Sequence, residues 1–173
     1  NYVVSRSDEL AELINRMKRG RYIVISAPRQ TGKTTFFKWA LEKLVEEDPT
    51  FLAIQLDFEI YVDVNAEAFY AHLQHEIFEE ILKDFQRRQV TINERLQQLL
   101  SNESIKNPLS FRVFLKQLSS FLGGRKVVMI IDEFDGIPQD ALRGFLHSLR
   151  RIYLSGEADR CPYSVGIVGV KSI

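Results

Sequence analysis

The sequence predicts an α/β domain built on a mainly parallel sheet with helices on both faces, and three observations predict it. Short apolar runs alternate along the chain with segments of helical apolar spacing, the order that parallel strands and crossover helices produce. One such run, Arg21–Ser26, leads through the stretch SAPRQTGKTT, Ser26–Thr35, into a helical segment. Another, Val127–Ile131, delivers two adjacent acids, Asp132 and Glu133, to its carboxyl end. In sheets of this class ligands gather at the carboxyl ends of the strands, so both stretches are placed where chemistry is expected.

The elements follow in order. With 173 residues, 45% of them hydrophobic, the chain is read as one domain, 1–173, with a sizeable core. An opening helix fits Asp8–Arg19, with Ser7 as its N-cap, Asp8 and Glu9 in an acidic first turn and Gly20 as terminator. Arg21–Ser26 is a β-branched and aromatic run suited to a buried parallel strand, and Phe36–Val45 has helical spacing. After Pro49, Phe51–Leu56 reads as a second strand ending at Asp57. Phe69, Leu73, Ile77, Ile81 and Phe85 mark one face of a long helix. Residues 90–108 are polar and receive no element. Phe111, Phe114, Leu115, Leu118, Phe121 and Leu122 form a helical stripe closed by Gly123 and Gly124, which leads into the strand Lys126–Ile131. A helix carrying Leu142, Phe145, Leu146, Leu149, Ile152 and Tyr153 precedes a last strand, Tyr163–Val168. No internal repeat or low-complexity segment is visible.

SAPRQTGKTT departs from the phosphate-loop pattern G-x-x-x-x-G-K-[ST] only at its first glycine, replaced by Ala27. In such a loop the backbone N–H groups of Pro28-Arg29-Gln30-Thr31-Gly32 and their neighbours face phosphate oxygens, Pro28 itself having no donor, and the following helix adds the positive end of its dipole. Alanine serves at the first position if its φ stays negative. Lys33 then supplies an ammonium to the outer phosphates, and the Thr34 hydroxyl, with Thr35 beside it, is offered to a magnesium ion. Asp132 and Glu133 divide the complementary work, the first acid holding magnesium and the second orienting and polarising an attacking water.

Through these motifs the chain resembles a P-loop ATPase of the AAA+ and STAND-like branch, in particular bacterial AAA-ATPase-like domains with a PRQ-x-GK-[ST] loop. The likeness spans nearly the whole chain. APRQTGKTT is similar to a Walker A loop, IIDEFD to a Walker B strand end, and VVSRSDEL, Val3–Leu10, to the box that opens such domains near the adenine, with Ser5 where that box has glycine. Gly169-Val170 matches a late Gly-Val after the fourth strand. The resemblance implies a three-layer core with sheet order 5-1-4-3-2, ATP and Mg2+ as ligands, and hydrolysis between the β- and γ-phosphates. It also implies adenine-side contacts at Val4 and Arg6, Lys33 and Glu133 as catalytic residues, and Thr34 and Asp132 toward the metal.

The sequence departs from that family in several places. After the fourth strand Lys171 and Ser172 stand where a sensor asparagine or threonine is usual, and no sensor is assigned. No fifth strand or C-terminal lid follows Ile173, so the chain is read as a fragment of a larger protein. Arg143, Arg150 and Arg151 are read as a solvated basic face rather than an arginine finger, and low turnover is expected of the chain alone. Tyr2 either stacks on adenine or packs on the sheet edge.

Composition narrows the remaining classes. The net charge is zero and gives no evidence for nucleic-acid binding. There is no secretory or bilayer-spanning stretch, and the one cysteine, Cys161, has no partner for a disulfide, which makes a cytoplasmic protein the default. His72, His75 and His147 lack companions at zinc-ligand spacing and are read as surface residues; Cys161 is read as inert. Three functions remain: a magnesium-dependent ATPase core, a nucleotide-binding regulatory module with little turnover, and a P-loop kinase, against which the Asp132-Glu133 pair argues. ATP is favoured over GTP because no Asn-Lys-x-Asp stretch occurs. ATP is the expected partner, with a homo-oligomer or a protein partner as the further classes.

Overall fold

The computed structural model describes residues 6–26 and 33–169. In chain order these form α1 (Arg6–Lys18), β1 (Tyr22–Ser26), α2 (Lys33–Glu47), β2 (Phe51–Asp57), a 3₁₀ turn (Phe58–Tyr61) and α3 (Ala66–Arg87). There follow α4 (Glu94–Ser101), α5 (Pro108–Phe121), β3 (Lys126–Asp132), a second 3₁₀ turn (Phe134–Gly136), α6 (Gln139–Leu154) and β4 (Ser164–Gly169). All strand pairs are parallel and the order is β1-β4-β3-β2, the 1-4-3-2 portion of the expected sheet. Among the described residues no strand lies on the far side of β1, where Val24 is 77% exposed.

Side-chain alternation along the strands builds three layers. Phe51 and Ala53 of β2 and Val128 and Ile130 of β3 face one way, onto Leu13 and Met17 of α1 and Phe37, Ala40 and Leu44 of α2. Leu52, Ile54 and Leu56 with Val127, Met129 and Ile131 face the other way, onto α3, α5 and α6. Both faces of β2 and β3 are therefore buried, which is why these strands read as continuous apolar runs rather than alternating ones. On the second face Phe58, Phe69, Phe111 and Phe145 form edge-on and stacked pairs at 5.2 to 5.8 Å between ring centres, joining the turn after β2 to α3, α5 and α6.

Several boundaries differ from the sequence reading. Helix α1 begins at Arg6, so Ser7 lies within it instead of capping it, while Asp8 and Glu9 remain in the first turn, where the helix dipole favours acids. Helix α3 begins three residues before its first apolar stripe residue because Asn65 caps it, accepting from the Ala68 N–H at 2.9 Å. Pro108 opens α5 inside a capping box made by Asn107 and Ser110. Gly20, Gly123 and Gly124 all have positive φ, as helix-terminating glycines do. The last strand starts one residue later than expected, at Ser164.

The polar stretch 90–108 contains α4, which the sequence reading left unassigned. Its anchor is a side chain from elsewhere. Gln74 of α3, 2% exposed, donates from Nε2 to the carbonyls of Leu99, Leu100 and Asn102 at 3.2, 3.3 and 2.7 Å. Its Oε1 accepts from the Ser104 and Ile105 N–H groups at 2.9 and 3.0 Å. Leaving such buried backbone groups unpaired costs about 1–3 kcal/mol each, so Gln74→Leu is expected to lower stability by at least about 2 kcal/mol. Urea unfolding measures that loss, and hydrogen exchange should speed at the Ser104 and Ile105 amides while those of β3 keep their relative order. An unchanged midpoint would contradict the anchoring role.

Candidate functional site

Parallel register places every strand's carboxyl end on one edge. Ser26 pairs with Gly169 and Asp57 with Asp132, so the chain leaving β1 toward α2 emerges on the same edge as the two acids ending β2 and β3. Helix α2 opens at Lys33, so Lys33 and Thr34 occupy its first turn, and Thr35, next in that turn, is exposed. The loop residues Pro28, Arg29, Gln30, Thr31 and Gly32 lie outside the described residues, as do Val4, Tyr2, Ser5, Lys171 and Ser172. Arg6 is the first residue of α1.

Asp132 is 4% exposed, held at the floor of this edge. Glu133 follows in a left-handed backbone conformation, φ 52 and ψ 46, and its N–H donates to Asp132 Oδ1 at 2.9 Å. A non-glycine residue there is uncommon and costs on the order of 1 kcal/mol, so the surroundings must hold it. They do so through the next turn. At Gly136 a Cβ would overlap the Phe58 carbonyl oxygen, so the chain leaving β3 lies directly on the chain leaving β2, with Phe58 and Phe134 stacked at 5.7 Å.

Beside Asp132 an open cleft of about 650 Å³ runs between α2 and α3, lined by Lys38, Gln55, Asp57, His72, Glu76 and Asp132 among others. Glu76 accepts from the Asp57 N–H at 2.8 Å and from the Tyr61 hydroxyl at 2.7 Å. Burial, together with Asp57 and Glu80, raises the Glu76 carboxyl above its ordinary range despite those two donors. Neither Asp57 nor Glu76 belongs to the motifs that point to this edge. The signal for Asp57 was present, an acid at a strand's carboxyl end; Glu76 enters only through the way α3 packs along β2.

The remaining candidates divide between the surface and the interior. Arg143, Arg150 and Arg151 are exposed on α6, as expected of a solvated face. His75 and His147 are exposed, and His72 is exposed but lies 3.3 Å from the Tyr61 hydroxyl through Nδ1. Among the described residues no group of His, Cys, Asp and Glu has a metal-ligating arrangement by itself. Cys161 is buried and its thiol is pushed up to about 12 by that burial, which disfavours the reactive thiolate. No helix among the described residues is long and apolar enough to cross a membrane.

Comparison with known proteins supplies the family. A model of the AAA domain matches residues 16–173. No curated protein matches the sequence significantly. Among solved structures, a Walker-type ATPase of Pyrococcus abyssi superposes with a TM-score of 0.61 at 15% identity, covering 97% of this chain and 45% of that one. Drosophila ORC bound to AT-rich DNA and Cdc6 gives a TM-score of 0.48 at 12% identity, over 97% of this chain and 46% of that one. This chain thus spans less than half of either structure's length, and the first likeness shows that the fold is shared.

The raised Glu76 carboxyl has a consequence for stability. Above its ordinary value of 4.5 and below its folded value the folded chain holds a proton that the unfolded chain has released, so this group's contribution to stability falls as pH rises through that window. Glu76→Gln removes the titration. Urea midpoints measured from about pH 4 to about pH 7 should show the wild type losing ground to Glu76→Gln as pH rises. A constant difference between them would contradict the assignment.

Proposed function

The chain belongs to the AAA domain family, and from that premise we propose that its carboxyl sheet edge binds ATP with magnesium and hydrolyses the bond between the β- and γ-phosphates. The chain is an AAA-type P-loop ATPase domain; the metal, the residue roles and the larger setting are the proposal. The observation that carries it is the shared edge: the first turn of α2, which opens at Lys33, and the buried Asp132 sit at the ends of parallel strands, and Glu133 is held beside Asp132 in a left-handed turn.

Magnesium, when bound, screens charge on the phosphates and on the transferring group. The donors available are hard oxygens, the Asp132 carboxylate and the Thr34 hydroxyl, which suits that ion better than a softer metal. The loop from Pro28 to Gly32 would present its N–H groups to the phosphates, Lys33 an ammonium to the outer ones, and Val4 and Arg6 contacts on the adenine side. Glu133 would take a proton from the attacking water at a carboxylate oxygen, and its strained backbone is consistent with a residue held in place for function. The cytoplasm, where ATP and magnesium occur together, is the compartment this reading expects. Transition-state charge calls for a further cation, so the chain alone is expected to turn over slowly and to serve as the ATPase core of a larger protein. Ala27 in place of the first loop glycine favours one alternative, a nucleotide-held regulatory module with little turnover.

Two substitutions test the roles. Lys33→Ala should weaken binding of a nonhydrolysable ATP analogue with magnesium by at least about tenfold in isothermal titration, because the outer phosphates lose a fixed cation. Glu133→Gln should leave that affinity within about threefold of wild type while lowering phosphate release by about 10² or more. Unchanged affinity for Lys33→Ala would remove the loop as the site, and unchanged turnover for Glu133→Gln would remove the assigned base.

A further inference from the structure

Helices α5 and α6 meet near the start of α5, where Gly144 admits the Pro108 ring and, one turn farther along each helix, Arg112 Nη1 donates to the buried Ser148 hydroxyl at 3.2 Å. Past that bond the two helices and the loop before β4 border a groove of about 990 Å³, within the range of roughly 300–1,000 Å³ that small-molecule sites occupy. Its walls are unevenly charged. Arg112, Lys116, Arg151 and Arg160 line it, and Asp159 is the single acid. Among the described residues none of these four cations takes part in an ion pair. Helix dipoles account for one of them at most: Arg151 lies in the last turn of α6, whereas the last turn of α5 has no basic residue and Arg160 lies outside any helix.

Arg160 sets this groove apart from an ordinary basic surface, because it is only 8% exposed. Its Nε and Nη2 donate to the Tyr163 carbonyl at 3.2 and 3.0 Å, and Nη2 also donates to the Gly20 carbonyl at 2.6 Å. The rings of Tyr153, Tyr163 and Tyr22 lie 4.8, 5.3 and 5.6 Å from its guanidinium carbon. These partners fix the side chain, and all of them are neutral. Among the described residues the buried charge has no ion-paired acid, and Nη1 makes no hydrogen bond. An anion brought to such a charge relieves the cost of its burial, and a guanidinium already held in place loses little freedom on gripping one. Arg112 and Lys116, one turn apart on α5, and Arg151 on α6 add cations around the same cavity. Guanidinium forks match pairs of phosphate oxygens.

We propose that this groove binds a compact organic group bearing several phosphates, held by the buried Arg160 together with Arg112, Lys116 and Arg151. Several phosphates are called for because four cations line a cavity much larger than one phosphate. A nucleic-acid strand fits less well: its charges follow one another along a line, and Arg143 and Arg150 of α6 lie outside the groove instead of extending it. The groove is also separate from the carboxyl edge. Helix α5 leads toward the start of β3, and Arg160, shortly before β4, reaches the Gly20 carbonyl just before β1, which places the groove at the amino edge of the sheet. Strands of this length keep the two edges roughly 20 Å apart. The proposal is independent of nucleotide binding and goes beyond the ATPase reading.

Isothermal titration of the full chain with inositol hexakisphosphate, a probe without a phosphoanhydride chain, tests it at about 0.15 M salt, where loose surface pairing is screened. The wild type should bind at a single site with a Kd of about 10 μM or tighter. Arg112→Gln with Lys116→Gln, and separately Arg151→Gln, should each weaken binding by at least about tenfold. Arg143→Gln with Arg150→Gln removes two charges from α6 outside the groove and should leave the affinity within about threefold. Arg160→Lys keeps the charge and loses the fork, and should weaken binding as well. Because Arg160 also braces β1 and β4, the surface variants decide the matter, their urea midpoints showing that they are folded. Lys33→Ala should bind the probe as the wild type does, which keeps failure here distinguishable from failure of the ATPase reading. Phosphatidylcholine vesicles with about 5% phosphatidylinositol bisphosphate, bound through the same residues, would identify the ligand as a lipid headgroup, and binding of the free probe alone would identify it as soluble. No binding of the probe, or equal losses in the groove and control variants, would overturn the proposal. So would tight binding of a short DNA duplex that needs Arg143 and Arg150 as much as Arg112 and Lys116.

Discussion

The close approach of the chain leaving β3 to the chain leaving β2 governs the geometry of the carboxyl edge. Gly136 lies against the Phe58 carbonyl with no room for a side chain, and the rings of Phe58 and Phe134 stack beside that contact. Two neighbouring strands in register, with Asp57 opposite Asp132, are thereby continued by two turns in contact. Glu133 is caught between a buried strand end and this fixed turn, which is how a glutamate comes to be held at positive φ. The aromatic cluster beneath ties the same turns to α3 and α6, so the acidic end of the sheet is among the better anchored parts of the chain.

A second constraint acts on the outer edge of the sheet. Among the described residues strand β2 pairs with β3 on one side only, and its other side would present unpaired backbone groups. Helix α3 covers them with its side chains: Glu76 and Glu80 accept from the Asp57 and Gln55 N–H groups, and Arg88 donates to the Pro49 and Phe51 carbonyls. Arg88 is itself oriented by Asp84, wholly buried, which also faces Arg87 and Arg125. The acids of α3 beside the cleft thus have a structural duty at one end and border the candidate site at the other.

Much of this was legible in the sequence, for physical reasons. The strands were legible because both faces of β2 and β3 are covered, which turns them into uninterrupted apolar runs; the helices α3, α5 and α6 were legible through their stripes. The edge bearing the motif was legible because a Gly-Lys-Thr loop and a pair of acids ended two such runs. Helix α4 was not, since a short polar helix anchored by Gln74 from another helix leaves no local pattern. The left-handed backbone at Glu133 was not, since glutamate gives no sign of it. The row Asp57, Glu76 and Tyr61 depends on where α3 lies along β2, a distance in space that residue spacing does not encode.

The central claim is that nucleotide binds at the carboxyl edge, between the start of α2 and the end of β3. Hydrogen exchange followed peptide by peptide, with and without a nonhydrolysable ATP analogue and magnesium, tests it most directly. Exchange should slow across residues 27–35 and around Asp132 and Glu133, by about tenfold or more at saturation, while the α5 and α6 amides stay as they were. Protection concentrated on α5 and α6, or none at residues 27–35 in a protein that demonstrably binds the analogue, would contradict the account.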